Sequence, residues 1–388
     1  MIFQVLQQIL GLATIPLLTR SLGLENFADY SLLANVVISV GLLGTFGMQD
    51  YVVRLITLRE NAIRDVFIKI LKLFHYLCLP AILISLVLLY FLLGNRKVTY
   101  SLTIIVIVAI VIEVYNNIMI GFAISAKQNS LLSTVPLIAS VTRVLTLSIL
   151  SITNELNLKT ALFALILPHA IAAATTSIYL FTEFQKTDRE SESGNSVDML
   201  LGALQLFLPL VNAIFISRGT LILAYPLMDS LNYANFAIAL TIYSILQTFP
   251  TALRIKILSL GDGSITFLKD NFARISVLTI TIPIMAATFS SPLISKILGN
   301  DFYGVTKLLF MLVPVFVLNV TSHILIALHA QNDTLRTLNV TSSCGAIMLF
   351  ISTLVFRDFG ATGMIASLGI CHLTIVICSS GTVIKRRT

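Results

Sequence analysis

The heptapeptide Asn26-Phe27-Ala28-Asp29-Tyr30-Ser31-Leu32 returns 206 positions later as Asn232-Tyr233-Ala234-Asn235-Phe236-Ala237-Ile238. Gln128-Asn129 with Leu132 and Thr134 returns 203 positions later as Gln331-Asn332 with Leu335 and Thr337. His169 and His372 are also 203 apart. Three correspondences in the same order at nearly one offset describe a duplicated unit of about half the chain.

What is duplicated follows from composition. Of 388 residues, 57% are hydrophobic and 11% charged, and the mean hydropathy is +0.95. A soluble domain carries about 25% charge, so this much apolar surface cannot be hidden in soluble cores. The chain reads as an integral membrane protein. Apolar runs punctuated by short polar segments give twelve predicted helices, at 2–18, 30–53, 70–93, 101–124, 130–152, 160–182, 199–224, 232–253, 276–297, 305–329, 337–356 and 361–384. Twelve spans of about 20 residues leave connections of about eleven residues each, too little for a soluble catalytic domain. The runs are continuous and long, which excludes an alternating-strand barrel. Met1 enters an apolar stretch with no basic segment before it. That reads as a first span rather than a cleaved signal peptide, with the true start expected slightly upstream.

The longest polar stretch, Gln185 to Asp198, divides the chain six spans from six. The expected organisation is an N-terminal six-helix lobe at 1–184, a cytoplasmic linker at 185–198 and a C-terminal six-helix lobe at 199–388. Six is even, so the two lobes share one orientation and form parallel repeats about an axis along the membrane normal. The expected fold is all-α, with about twelve transmembrane helices in two parallel six-helix lobes around a central cavity, an arrangement suited to transport. With both termini inside, the cytoplasmic connections hold sixteen Lys and Arg and the outer ones seven, which supports that orientation. The net charge of +7 thus reports topology or an anionic lipid, and no nucleic-acid partner is expected.

Charge inside the bilayer costs at least about 2.5–3.5 kcal/mol per residue on insertion scales, so the few buried charges carry most of the information. Arg143 and Arg218 lie in the middle of the fifth and seventh spans, one in each lobe. Guanidinium stays protonated and offers a bidentate fork to phosphate, so the two read as a cationic cavity for an anionic headgroup. A structural ion pair is the alternative. Glu113 is the one acid well inside a span, with Asn116 and Asn117 beside it. It would exchange a proton or bind sodium during transport, or else pair statically with Arg143. Arg20, Arg54 and Arg254 end helices. They read as portal charges or as ordinary interfacial snorkelling, with snorkelling ahead for Arg254.

The remaining polar groups suggest less. Histidines 75, 169, 323, 329 and 372 show no metal spacing and read as polar helix packing. The four cysteines, at 78, 344, 371 and 378, read as small apolar fillers. No metal site is expected. The stretches 59–72 and 261–274 read as amphipathic segments on the inner surface. Prolines 16, 80, 136, 168, 209, 250, 283 and 314 interrupt spans and permit kinks. No P-loop, GxSxG or HExxH motif occurs, so neither nucleotide hydrolysis nor enzyme chemistry is expected.

Leu17-Leu18-Thr19-Arg20-Ser21-Leu22-Gly23, then Phe27 with Tyr30-Ser31-Leu32, resembles the opening of bacterial polysaccharide flippases, as does the basic loop after Arg54. Phe359-Gly360-Ala361-Thr362-Gly363-Met364-Ile365-Ala366 resembles their entry to the last helix. The likeness spans the chain, and the chain is similar to Wzx-type O-antigen and capsule repeat-unit translocases of the multidrug/oligosaccharidyl-lipid/polysaccharide exporter superfamily. That resemblance implies alternating access without a cofactor, driven by a proton or sodium gradient if one is used. It implies an undecaprenyl-pyrophosphate-linked oligosaccharide as substrate, moved to the outer leaflet of a bacterial plasma membrane. Its implied partners are membrane lipids, a polysaccharide polymerase and a chain-length regulator. The competing readings are a multidrug exporter of the same superfamily and a membrane polymerase or ligase. An exporter of cationic drugs favours an acidic cavity, and a polymerase or ligase favours a large outer loop.

Overall fold

The computed structural model describes residues 2–59, 63–97, 99–125, 129–184, 196–260, 263–299, 302–331 and 335–384. Among these the regular structure is helical throughout. In a bilayer every backbone N–H and C=O needs an internal partner, and a helix provides one within its own segment. The linker expected at 185–198 lies outside the described residues over 185–195.

The chain forms two compact units, 1–214 and 215–388. The boundary falls inside the seventh expected span rather than at the polar linker. In the first unit the order is α1 (Ile2–Leu43), α2 (Met48–Arg59), α3 (Ile63–Lys97), α4 (Tyr100–Ser125), α5 (Asn129–Ile152), α6 (Leu158–Phe184), α7 (Ser196–Leu204) and α8 (Phe207–Ile214). α1 holds the first expected span and most of the second as two helices that meet at a kink at Gly23 (φ 71°, ψ 172°). α7 packs on α2 and α3, and α8 packs on α1. Phe46 of the turn after α1 stacks on Phe207, ring centroids 5.0 Å apart.

The second unit opens with a π-helical turn at Phe215–Gly219 carrying Arg218. It continues with α9 (Thr220–Ala224), α10 (Ser230–Leu246), α11 (Thr248–Leu260), α12 (Ser264–Asp270), α13 (Phe272–Ile297), α14 (Tyr303–Gln331), α15 (Leu335–Val355) and α16 (Gly360–Ile384). Ten stretches among the described residues are long and apolar enough to cross a membrane. The first of them contains the Gly23 break, and Asn339–Val355 adds a shorter apolar helix. Together these account for the twelve spans expected from hydropathy.

The repeat is visible in the backbone. α1 is followed by the separate α2 as α10 is followed by α11. Gly94 and Gly299, both with positive φ, close the third helix of each half. Asn154 (φ 58°) and Gly360 (φ 55°) hold the same turn between the fifth and sixth helices. Polar identity repeats as well: Asn116 and Asn319 share an offset of 203 with His169 and His372.

Where α1 breaks at Gly23, the second unit has a capped helix start 206 positions later. Asp229 Oδ1 accepts the Asn232 backbone N–H at 2.8 Å, and its Oδ2 accepts the Asn232 side-chain amide at 2.7 Å. The backbone N–H of Asn232 is the main cause that holds this carboxyl below its usual range. Asp229→Ala is expected to cost about 1 kcal/mol of stability, the typical value of an N-cap. Thermal melting in detergent at neutral pH measures it. In the wild type the same contribution is complete above the unfolded carboxyl value, about 3.9, and fades as pH falls through the lower folded value.

Candidate functional site

The site lies within the first unit, among α4, α5, α6 and the start of α1. It is a cavity of about 320 Å³ lined by Gln7, Glu113, Asn116, Asn117, Ser140, Arg143, His169 and Thr176, with Pro136 and Pro168 in its wall. That volume is at the small end for ligand pockets, about 300–1,000 Å³. It suits an ion, a few waters or a phosphate group, and not an oligosaccharide.

α4 brings the acid. Glu113, Asn116 and Asn117 occupy neighbouring positions one turn apart, and all three are buried. Asn117 Nδ2 donates to the Glu113 carbonyl at 2.8 Å and to its Oε1 at 3.3 Å. The other carboxylate oxygen lies 2.7 Å from His169 Nδ1 on α6. The pair is asymmetric, with the Glu113 side chain 7% exposed and His169 29% exposed. Both groups line the cavity, the histidine being the more exposed of the two. Close approach of α1 makes room for this arrangement. A Cβ built on Gly41 would stand 2.4 Å from Glu113 Cγ and 2.6 Å from its Cβ. Small residues of this kind let membrane helices meet at backbone distance.

α5 brings the base. Arg143 Nη2 donates to the Tyr30 hydroxyl at 2.6 Å, across to α1. Its Nε is buried without a hydrogen-bond partner. Of the two readings of Glu113, static pairing with Arg143 is not seen in the structure. Both side chains line one cavity, but the carboxylate faces α6 and His169, while the guanidinium reaches the α1 phenol. Among the described residues no carboxylate lies within ion-pair distance of the Arg143 guanidinium.

Arg20 and Arg54 are not among the residues that line this cavity, and Arg218 belongs to the second unit. Arg20 is exposed on α1, and Arg54 is exposed on α2 beside Asp50. Arg218 sits half-buried on the π turn of the second unit. His169 is the residue that sequence reasoning placed only in helix packing. The signal that pointed to it was its duplicate, His372. In the second unit His372 is buried and lies 3.4 Å from the Ser322 hydroxyl. Asn319 there donates to the Tyr243 hydroxyl at 3.1 Å. The counterpart of Glu113 is Phe316, fully buried and ringed by Tyr243 and Phe249. The acid is present in one half alone. Among the described residues no cluster of three or more His, Cys, Asp or Glu is placed to hold a metal ion.

Comparison with known proteins agrees with this architecture. Over 98% of its length the chain superposes on a structure of the lipid II flippase MurJ in an inward closed conformation. The TM-score is 0.74 at 14% identity, covering 86% of that protein. An inward-facing multidrug resistance MATE family transporter of the MOP superfamily matches at TM-score 0.69 and 14% identity, over 98% of this chain and 94% of that one. A MOP superfamily transporter from Pyrococcus furiosus, described as having a binding pocket of reversed polarity, matches at TM-score 0.56 and 13% identity, over 99% and 93%. At these identities the likeness speaks for the fold alone. No curated protein sequence matches. The sequence profile described as "Polysaccharide biosynthesis protein" matches residues 1–260. That match runs from the first helix through every residue of the cavity to the end of α11, and by it the chain belongs to the polysaccharide biosynthesis protein family.

Proposed function

We propose that this protein flips an undecaprenyl-pyrophosphate-linked oligosaccharide, an O-antigen or capsule repeat unit, to the outer leaflet of a bacterial plasma membrane. It does so by alternating access, with both termini in the cytoplasm and no nucleotide hydrolysis of its own. The observation that carries the reading is the Arg143 guanidinium in a polar cavity, its Nε buried without a hydrogen-bond partner and no carboxylate within ion-pair distance among the described residues. A cation kept in that place, at a cost of several kcal/mol, is suited to an anionic group that arrives and leaves. Arg218 is assigned as a second headgroup cation, and Arg20 and Arg54 as portal charges. The sugar is too large for the cavity, so the cavity takes the charged headgroup and the sugar travels elsewhere. An inside-negative potential favours outward movement of the pyrophosphate by about 2.3 kcal/mol per charge per 100 mV.

A proton or sodium gradient is the second driving force in this reading, and Glu113 with His169 is its entry point. The buried carboxylate takes up the ion from the cavity it lines, and where the ion is a proton the adjoining imidazole shares it. Delivery to a polymerase and a chain-length regulator follows on the outer side.

Deleting the gene and extracting the lipids tests the proposal. Lipid-linked repeat units are expected to accumulate facing the cytoplasm, and the wild-type gene restores export. Arg143→Ala is expected to restore it about tenfold to a hundredfold less well, the loss of a charge-assisted contact. Normal lipid pools in the deletion strain, with new sensitivity to cationic drugs, would overturn the flippase reading in favour of drug export. Arg218→Ala with normal export removes Arg218 from the headgroup site.

A further inference from the structure

A hydroxyl inside a helix has two common outlets, open space or the carbonyl one turn back. On α6 the neighbours of Thr176 take the second. Thr175 Oγ1 donates to the Ile171 carbonyl at 2.8 Å, and Ser177 Oγ to the Ala173 carbonyl at 2.7 Å. Thr176 lines the cavity and is 6% exposed, and its hydroxyl has no hydrogen-bond partner among the described residues. α4 shows the same departure. Asn117 is tied to Glu113. Asn116, which also lines the cavity and is 8% exposed, has a side-chain amide without a hydrogen-bond partner among the described residues. Unlike Arg143 Nε, the polar atoms of Asn116 and Thr176 are not sealed in. The positions 203 residues on are closed. Asn319 and Ser379 are 1% and 0% exposed, and Asn319 is engaged with the Tyr243 hydroxyl. The duplicated asparagine is thus structural in the second half and free in the first.

We propose that Asn116 and Thr176 hold the phosphoryl oxygens of the lipid diphosphate beside Arg143. α4, α5 and α6 then each give one group to an anion subsite. The proposal rests on the headgroup reading of this cavity and adds the two groups that grip the ligand. Beside Glu113 in the sequence, Asn116 reads as part of ion coupling, but the structure ties Asn117 to the acid instead. An amide N–H and a hydroxyl both donate, and hydrogen bonds to a charged acceptor are the stronger kind. The Glu113 oxygens do not occupy these donors, because one accepts from Asn117 and the other lies 2.7 Å from His169. A buried polar group without a partner is costly, and a phosphoryl oxygen removes that cost at both positions on arrival. What the subsite recognises is phosphoryl oxygen, carried on a lipid or free.

The test is equilibrium binding to the purified full-length protein in nanodiscs of zwitterionic lipid. The probes are farnesyl diphosphate, inorganic diphosphate, and farnesol as the probe without phosphate. Farnesyl diphosphate is expected to bind more tightly than inorganic diphosphate, and farnesol should not displace either. The reverse order keeps the subsite and overturns its assignment to a lipid headgroup. Asn116→Ala and Thr176→Val are each expected to weaken farnesyl diphosphate by about tenfold, the loss of one hydrogen bond to a charged group. Asn116→Asp keeps the shape but adds a negative charge, so it should bind more weakly than Asn116→Ala. An asparagine that only packs, or one that coordinates a cation, reverses that order, and the reversed order overturns the proposal. Weakening by Arg143→Ala with native binding in Asn116→Ala and Thr176→Val overturns the subsite and leaves the headgroup reading standing. A wild-type protein that binds neither diphosphate overturns both.

Discussion

Gly41→Ala is expected to lower transport of the lipid-linked oligosaccharide by about tenfold or more while leaving the protein in the membrane. Alanine is otherwise the better helix former by up to about 1 kcal/mol, so local propensity pushes the other way. The loss comes from contact. The new methyl would stand 2.4 Å from Glu113 Cγ and 2.6 Å from Glu113 Cβ. The atoms it meets lie near the α4 backbone, so no flexible tip can swing aside. Either α4 moves off α1 or Glu113 turns, and in both cases the 2.7 Å contact with His169 is disturbed. Gly11→Ala is the control, because a Cβ on Gly11 meets nothing within 4 Å. Initial flipping rates in proteoliposomes, normalised to protein amount, read the difference. Equal rates for the two alanine variants would show that the placement of Glu113 is immaterial to transport.

Glu113→Gln tests the carboxylate itself. Glutamine keeps the size and the hydrogen-bonding reach toward Asn117 and His169 but carries no charge. The expected result is a loss of about tenfold to a hundredfold in gradient-driven rate, together with disappearance of its dependence on pH. His169→Asn should lower the rate as well, and the double variant should be little worse than the worse single one, as for two groups acting as one unit. A Glu113→Gln protein with native flux and native pH dependence would exclude proton or cation coupling through this pair. The measurement is flux under an imposed proton or sodium gradient, scanned over pH.

The spans and their duplication were legible in the sequence because lipid imposes a long apolar run on every helix. The turns between them showed only as short polar segments, and the structure adds that they hold Gly or Asn at positive φ, as at Gly94, Asn154, Gly299 and Gly360. Arg143 and Glu113 stood out because charge in a span is costly. Their partners did not. Tyr30 and His169 are 113 and 56 positions away from them in the chain, on helices whose rotation no local spacing fixes. Gly41 carried no signal either, since a glycine in an apolar run says nothing of what stands opposite. The boundary between the compact units fell later than the polar linker because α7 and α8 pack back on the first unit.

Phe316 in the position of Glu113 has an arithmetical consequence. A protein built by copying one half would inherit two ion sites or none, yet here the mirror position is filled by an aromatic ring with no titrating atom. Symmetry is broken at the position where the first half carries a buried acid. In the proposed gradient-driven cycle the stoichiometry through this pair of positions would be one ion rather than two, and the work drawn from a given gradient would be halved accordingly. Cargo movement would stall at a correspondingly shallower opposing gradient of lipid-linked product.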